Sequence, residues 1–143
     1  MNAKTGRILG YFAAGTTKRT STIVDMQGFD EVWFLADLGT ILENGTIDVF
    51  VEQNTVNSAS GMARLATTTA HTVTAANALL TESQIVVKIN RPTERYLQCN
   101  ITPAVSNAVV LGITVIQFGG RVQPATDAAS VLKSTTLASP AEA

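Results

Sequence analysis

From Thr20 onward the chain alternates hydrophobic and polar residues in short runs separated by turn-forming residues, a spacing that predicts an all-β sandwich or barrel. Thr20–Met26 is the first clear strand. Gly28-Phe29-Asp30 then turns the chain into Glu31–Asp37, where Val32, Phe34 and Ala36 lie on one face and Trp33 and Leu35 on the other. A strand apolar on both faces lies under a second layer or against another molecule. Asn44-Gly45 predicts a tight turn, because both residues tolerate positive φ. It leads into Thr46–Glu52, with Ile47, Val49 and Val51 facing one way and Asp48, Phe50 and Glu52 the other. That period of two is the mark of a half-buried strand.

The pattern weakens over Asn54–Ala76, which is rich in Thr, Ser, Ala and Asn and reads as a long surface excursion with some extended pairing. Thr74 is placed to cap a short helix over Ala75–Leu80. Order returns with Gln84–Asn90, whose Ile85, Val87 and Ile89 form an inward row. Arg91–Arg95 is a turn, since Pro92 has no N–H for a ladder. Tyr96–Ile101 is the next strand and Ala108–Phe118 the last, with Gly112 predicting a bulge or a close backbone approach. Seven or eight strands with almost no helix make an antiparallel β-sandwich, or jelly-roll-like single domain, the economical architecture. Its expected divisions are an arm over residues 1–18 with one short strand at Arg7–Phe12, the sandwich over 19–124, and a tail over 125–143. Both terminal segments are rich in small residues and are expected to be flexible.

Composition fits one domain: 143 residues can bury a single core of adequate size. Charged residues make up only 15% of the chain, against about 25% in ordinary globular proteins, so the surface is lightly charged or faces a partner. Lys plus Arg number 10 and Asp plus Glu 11. So even a balance gives no basic stripe, and no nucleic-acid partner is expected. No run reaches the ~18 apolar residues of a membrane helix, and Met1–Gly10 has no apolar core of signal-peptide length. Synthesis in the cytoplasm with no membrane partner is the expectation.

Candidate chemistry is sparse. His71 is the one histidine and lies in a Thr-rich stretch; with no second His it completes no zinc site. Cys99 is the one cysteine, flanked by Leu97 and Ile101 on alternate positions, and reads as a buried small apolar side chain. Neither a Gly-x-Ser-x-Gly elbow nor a phosphate-binding Gly-rich loop occurs. The sequence therefore nominates no catalytic residue, metal ligand or cofactor, and the chain is not expected to be an enzyme. The candidates that remain are for a protein interface. Trp33 and Phe50 lie opposite the core rows of their strands, where they either fill a second side of the sandwich or anchor a partner. Arg91 and Arg95 flank Pro92, as a solvated turn or a docking loop.

The second half of the chain carries a resemblance. Ile89-Asn90-Arg91-Pro92-Thr93-Glu94-Arg95-Tyr96-Leu97, Asn107–Ile113 and Ile116-Gln117-Phe118-Gly119-Gly120-Arg121 resemble small head proteins of tailed bacteriophages, in particular the capsid decoration (cement) proteins of short-tailed phages like that of the Bordetella phage. The resemblance covers residues 81–124. It implies a jelly-roll-like domain on the capsid exterior of a virion, with the major capsid protein and further copies of itself as partners, a dimer being the expected homo-oligomer. It brings no catalytic residues. A tail or head–tail joining protein is the alternative of the same class. A carbohydrate-binding β-sandwich module, stacking sugars on Trp33 and Tyr96, is the alternative of another class.

Overall fold

The computed structural model describes residues 3–65, 69–119 and 128–134. Those residues form an antiparallel β-sandwich, as the alternating pattern predicts. Its elements are β1 (Ala3–Leu9), β2 (Phe12–Gly15), β3 (Arg19–Thr20), β4 (Val24–Asp25), β5 (Glu31–Ile41), β6 (Thr46–Asn54), β7 (Ala63–Arg64), β8 (His71–Thr72), α1 (Ala75–Ala78), β9 (Ser83–Asn90), β10 (Tyr96–Ala104) and β11 (Ala108–Phe118). Sheet A runs β1-β11-β5-β9, with β2 also on β11. Sheet B runs β3-β10-β6-β7, with β4 on β10 and β8 on β6.

The five long strands from β5 onward switch sheets at every connection: β5, β9 and β11 lie in sheet A, β6 and β10 in sheet B. Consecutive long strands therefore lie in opposite sheets instead of pairing as hairpins. Among the described residues, the non-glycine ones with positive φ sit in the connections that make the switch, Asn44 (65°) between β5 and β6, Arg91 (51°) between β9 and β10, and Val105 (67°) between β10 and β11. Positive φ reverses the chain in very few residues. The Asn44-Gly45 turn behaves as expected, closed by the Gly45 amide donating to the Leu42 carbonyl at 3.1 Å, but it joins strands of different sheets.

The core forms between the inner rows. Val32, Phe34, Ala36 and Leu38 of β5, with Ile113 and Val115 of β11, pack against Ile47, Val49 and Val51 of β6 and Leu97, Cys99 and Ile101 of β10, all buried. Each large side chain buried this way contributes about 1.5–3 kcal/mol, so these four rows of alternate residues supply the main drive to fold. Ile85, Val87 and Ile89 of β9 line the margin of the core and stay half-buried.

The ends of the chain depart from the pattern. In place of an arm with one strand over Arg7–Phe12, residues 3–15 supply β1 and β2, both laid along β11. The alternation there is hidden by Gly and Ala, because β1 packs small residues where another part of the chain comes close. Gly6 faces Ala128, whose Cβ would lie 2.8 Å from a Cβ added to the glycine. Ala128 donates to the Thr5 carbonyl and Ser130 accepts from the Arg7 amide, each at 3.0 Å, so residues 128–130 lie along the outer edge of β1. Residues 125–127 and 135–143 of the expected tail lie outside the described residues. The strand expected over Thr20–Met26 is split into β3 and β4, where Thr22 turns aside to bond the Ile8 carbonyl at 3.0 Å. Gly112 marks a bulge in β11, as predicted. Thr74 caps α1 with a complete capping box.

Candidate functional site

Trp33, Phe50, Arg91 and Arg95 do not converge on one surface. Trp33 lies on the outer face of sheet A, Phe50 on the outer face of sheet B, and the two arginines in the β9–β10 connection. Arg95 is held by a bidentate ion pair with Asp25, both contacts at 2.8 Å. The guanidinium beside Asp25 keeps that carboxyl below the ordinary aspartate value. The Arg91 side chain is exposed and its amide donates to the Asp30 carbonyl at 2.7 Å.

The outer face of sheet B satisfies itself. The Phe50 ring is covered by cations from its own chain, with Lys18 Nζ 5.2 Å and the Arg64 guanidinium 4.2 Å from its centroid. Arg64 also makes a paired contact with Asp48, at 2.9 and 3.1 Å. These contacts leave Phe50 buried, so it offers no free ring. Along β10, the buried Asn100 accepts from Thr20 at 2.8 Å and donates to Glu52 at 3.1 Å. Gln98 donates to the Ser21 carbonyl at 2.9 Å. Buried polar groups matched in this way need no outside partner.

The outer face of sheet A is of the opposite kind. Cross-strand register sets Ile116, Trp33 and Lys88 in one row and Thr114, Leu35 and Val86 in the next. Phe118 adds its ring to that of Trp33, centroids 4.9 Å apart and planes at 62°, a favoured edge-to-face arrangement. Lys88 Nζ sits 4.1 Å from the Trp33 centroid, and the indole N–H donates to Glu31 at 2.8 Å. Trp33, Leu35, Ile116 and Phe118 are half-buried and Val86 is 40% exposed. Of the four sequence candidates, Trp33 alone belongs to this apolar face. Its companions were signalled by the double-sided apolar character of Glu31–Asp37, but only the register of β11 and β9 brings them alongside.

One cleft, of about 490 Å³, opens between Leu38, Ile41, Leu80 and Ile85, with His71, Asn77, Ser83 and Gln84 at its polar side. His71 Nε2 lies 3.0 Å from Asn77 Oδ1, which orients the ring without providing an acid partner. Cys99 is buried in the core, where desolvation pushes its thiol up to about 12. Among the described residues no group of three His, Cys, Asp or Glu side chains is arranged to hold a metal ion. Nor, among them, is any helix long and apolar enough to cross a membrane.

No protein-family model matches the chain, and no curated protein matches it. Among solved structures it aligns with part of the dimeric latent PorU from Porphyromonas gingivalis, at a TM-score of 0.49 and 7% identity. That alignment covers 82% of this chain and 12% of the PorU chain. A likeness so distant carries nothing about partners or activity.

Proposed function

We propose that this chain is a virion structural protein that binds the outer surface of a phage capsid and stabilises contacts between major capsid subunits. The observation that carries the reading is the contrast between the two outer faces. Sheet B closes its polar groups upon themselves, while sheet A presents Trp33, Leu35, Val86, Ile116 and Phe118 together. Contiguous apolar residues on a sheet face gain most from being covered by a partner, and a Trp among them is the usual energetic anchor. The resemblance of residues 81–124 to capsid decoration proteins supplies the partner, the major capsid protein. Light and balanced charge suits many copies packed on one shell, and weak contacts repeated on a lattice add through avidity.

The test is co-sedimentation of the purified protein with assembled, undecorated heads. Saturable binding to heads and not to unassembled capsid protein is expected. Ile116→Glu should weaken binding by roughly 30-fold or more while the fold is kept, the loss typical of a hot-spot residue. Asp48→Ala, on the outer face of sheet B, should leave binding unchanged. The reverse pattern would put the interface on sheet B. Failure to bind heads, with a discrete ring in solution, would favour a tail or head–tail joining role. The carbohydrate-binding reading is disfavoured because Lys88 occupies a face of the Trp33 ring where a sugar would stack.

A further inference from the structure

We propose that two copies of this chain join through the free edge of β9, antiparallel and about a two-fold axis at Val87, so that sheet A continues from one copy into the other. The inference starts from how the fold treats its edges. An unpaired strand edge exposes a row of N–H and C=O groups, and proteins blunt such edges by shortening them, covering them, or placing Pro, bulges and charges there. The far edge of β1 is covered by residues 128–130. Sheet B ends in the two-residue strands β3 and β4 on one side and β7 and β8 on the other. β9 is treated differently. It pairs with β5 in unbroken register from Ser83 to Asn90, it has no Pro and no bulge, and among the described residues nothing pairs with its other edge.

The sequence of β9 is self-complementary in one register. With Val87 opposite the partner's Val87, Ile85 faces the partner's Ile89, and the inner row continues unbroken across the junction. Those inner residues are the half-buried margin of the core, so a second copy would complete their burial. On the outer face the same register sets Val86 opposite the partner's Lys88, and no charge meets its own kind. Moving the axis to Lys88 would oppose two lysines, a destabilising arrangement. Moving it to Val86 would oppose Ile89 to the partner's Ser83 and waste the inner row. Lys88 is the one charged residue within the strand, and its ammonium is drawn back over Trp33, which weakens it as an edge guard.

Residues opposed across an antiparallel pair share a face, so the two-fold axis stands perpendicular to the sheet. Both apolar outer faces then look the same way and form one doubled surface. The pairing thus gives the docking face described above two-fold valency, and that consequence rests on the capsid reading. The pairing itself does not.

The experiment is sedimentation equilibrium on the full chain, combined with oxidative cross-linking of single-cysteine additions. The wild type is expected to be a dimer. Val87→Cys should cross-link to its copy, whereas Val86→Cys should not, since it faces a lysine. Val86→Lys opposes like charges twice across the axis and should shift the protein to monomer, by at least tenfold in dissociation constant. Val86→Glu opposes the lysines favourably and should remain a dimer, which separates loss of pairing from loss of folding. A monomeric wild type, or a dimer indifferent to both Val86 substitutions, overturns the inference. Cross-linking at position 86 in place of 87 overturns the register. A monomer that still sediments with heads would refute the pairing and leave the capsid reading intact; a dimer that ignores heads would do the opposite.

Discussion

A Cβ on Gly112 would lie 2.6 Å from the carbonyl oxygen of Leu9, and the backbone at Gly112 holds φ at 149°. Both facts follow from the bulge that re-aligns β11 between Val110 and Gly112. The Arg7 side chain crosses the same point to donate to the Leu111 carbonyl. No L side chain fits there. Gly112→Ala should destabilise the protein by about 1–3 kcal/mol from overpacking alone, with backbone strain adding to it. Urea unfolding monitored by Trp33 fluorescence measures the loss. A midpoint unchanged from wild type would show that β1 can move away freely.

Phe34 is the largest fully buried side chain of the core. Its ring stands between the sheets at the middle of β5, with β11 and β9 on either side. Truncation leaves a cavity that two hydrogen-bonded sheets cannot collapse to fill. Phe34→Ala is expected to cost about 3–5 kcal/mol, read as a lower denaturation midpoint. Phe50→Ala should cost less, because the cationic side chains over that ring can relax into solvent.

Val105 strains the β10–β11 connection. It is β-branched, has φ of 67° and is 79% exposed. A β-branched residue is poorly suited to the left-handed region, and nothing in its burial compensates. Val105→Gly should therefore stabilise the protein by about 1 kcal/mol, the relief of strain outweighing the greater freedom of the unfolded chain. Thermal unfolding of the two proteins side by side decides the sign.

Asp25 and Arg95 tie β4 to the start of β10 across a half-exposed surface. The arginine lowers the Asp25 value below its ordinary 3.8. A depressed carboxylate stabilises the fold above its unfolded value and loses that contribution as pH falls through the folded one. Asp25→Asn should accordingly lower stability slightly at neutral pH, within the range of about 0–1 kcal/mol for exposed pairs. The gap should close in acid below that window. A gap that persists in strong acid would assign the effect to packing.

The strands were legible in the sequence because their inner rows are large and regular: Ile47, Val49 and Val51, or Ile85, Val87 and Ile89, announce themselves by period alone. β11 was legible to its last residue, and Gly112 within it announced the bulge. The assignment of strands to sheets was not. Alternation tells which residues face inward, but it is the same for a hairpin and for two strands facing across a core. The positive φ of Arg91 and Val105, which makes two of the switches, is unexpected in those residue types. The outer faces were legible by halves. Trp33 and Phe50 look alike as aromatics opposite a core row. They differ because Lys18 and Arg64, 32 residues before and 14 after Phe50 in sequence, fold over the one ring, while the other is joined by Ile116 and Phe118.

Cys99 offers a probe of the whole fold. Its thiol is fully buried at the middle of β10, its amide donates to Ser21 at 3.0 Å, and desolvation raises its value from 9.0 to about 12. Only a thiolate reacts with disulfide reagents, so labelling requires the strand to open. The core cluster that holds Cys99 draws its residues from both sheets, and opening it means breaking the core. The labelling rate should therefore follow global unfolding, falling steeply below that of the unfolded chain in proportion to stability. The raised value also fixes a pH dependence. Between 9.0 and about 12 the unfolded thiol ionises while the folded one holds its proton, so rising pH favours unfolding through this group, by at most about 1.4 kcal/mol per pH unit. Cys99→Ala should flatten that alkaline decline. Labelling that outpaces hydrogen exchange of the β10 amides would instead reveal a local opening of β3 and β4, the short strands that cover this end of sheet B.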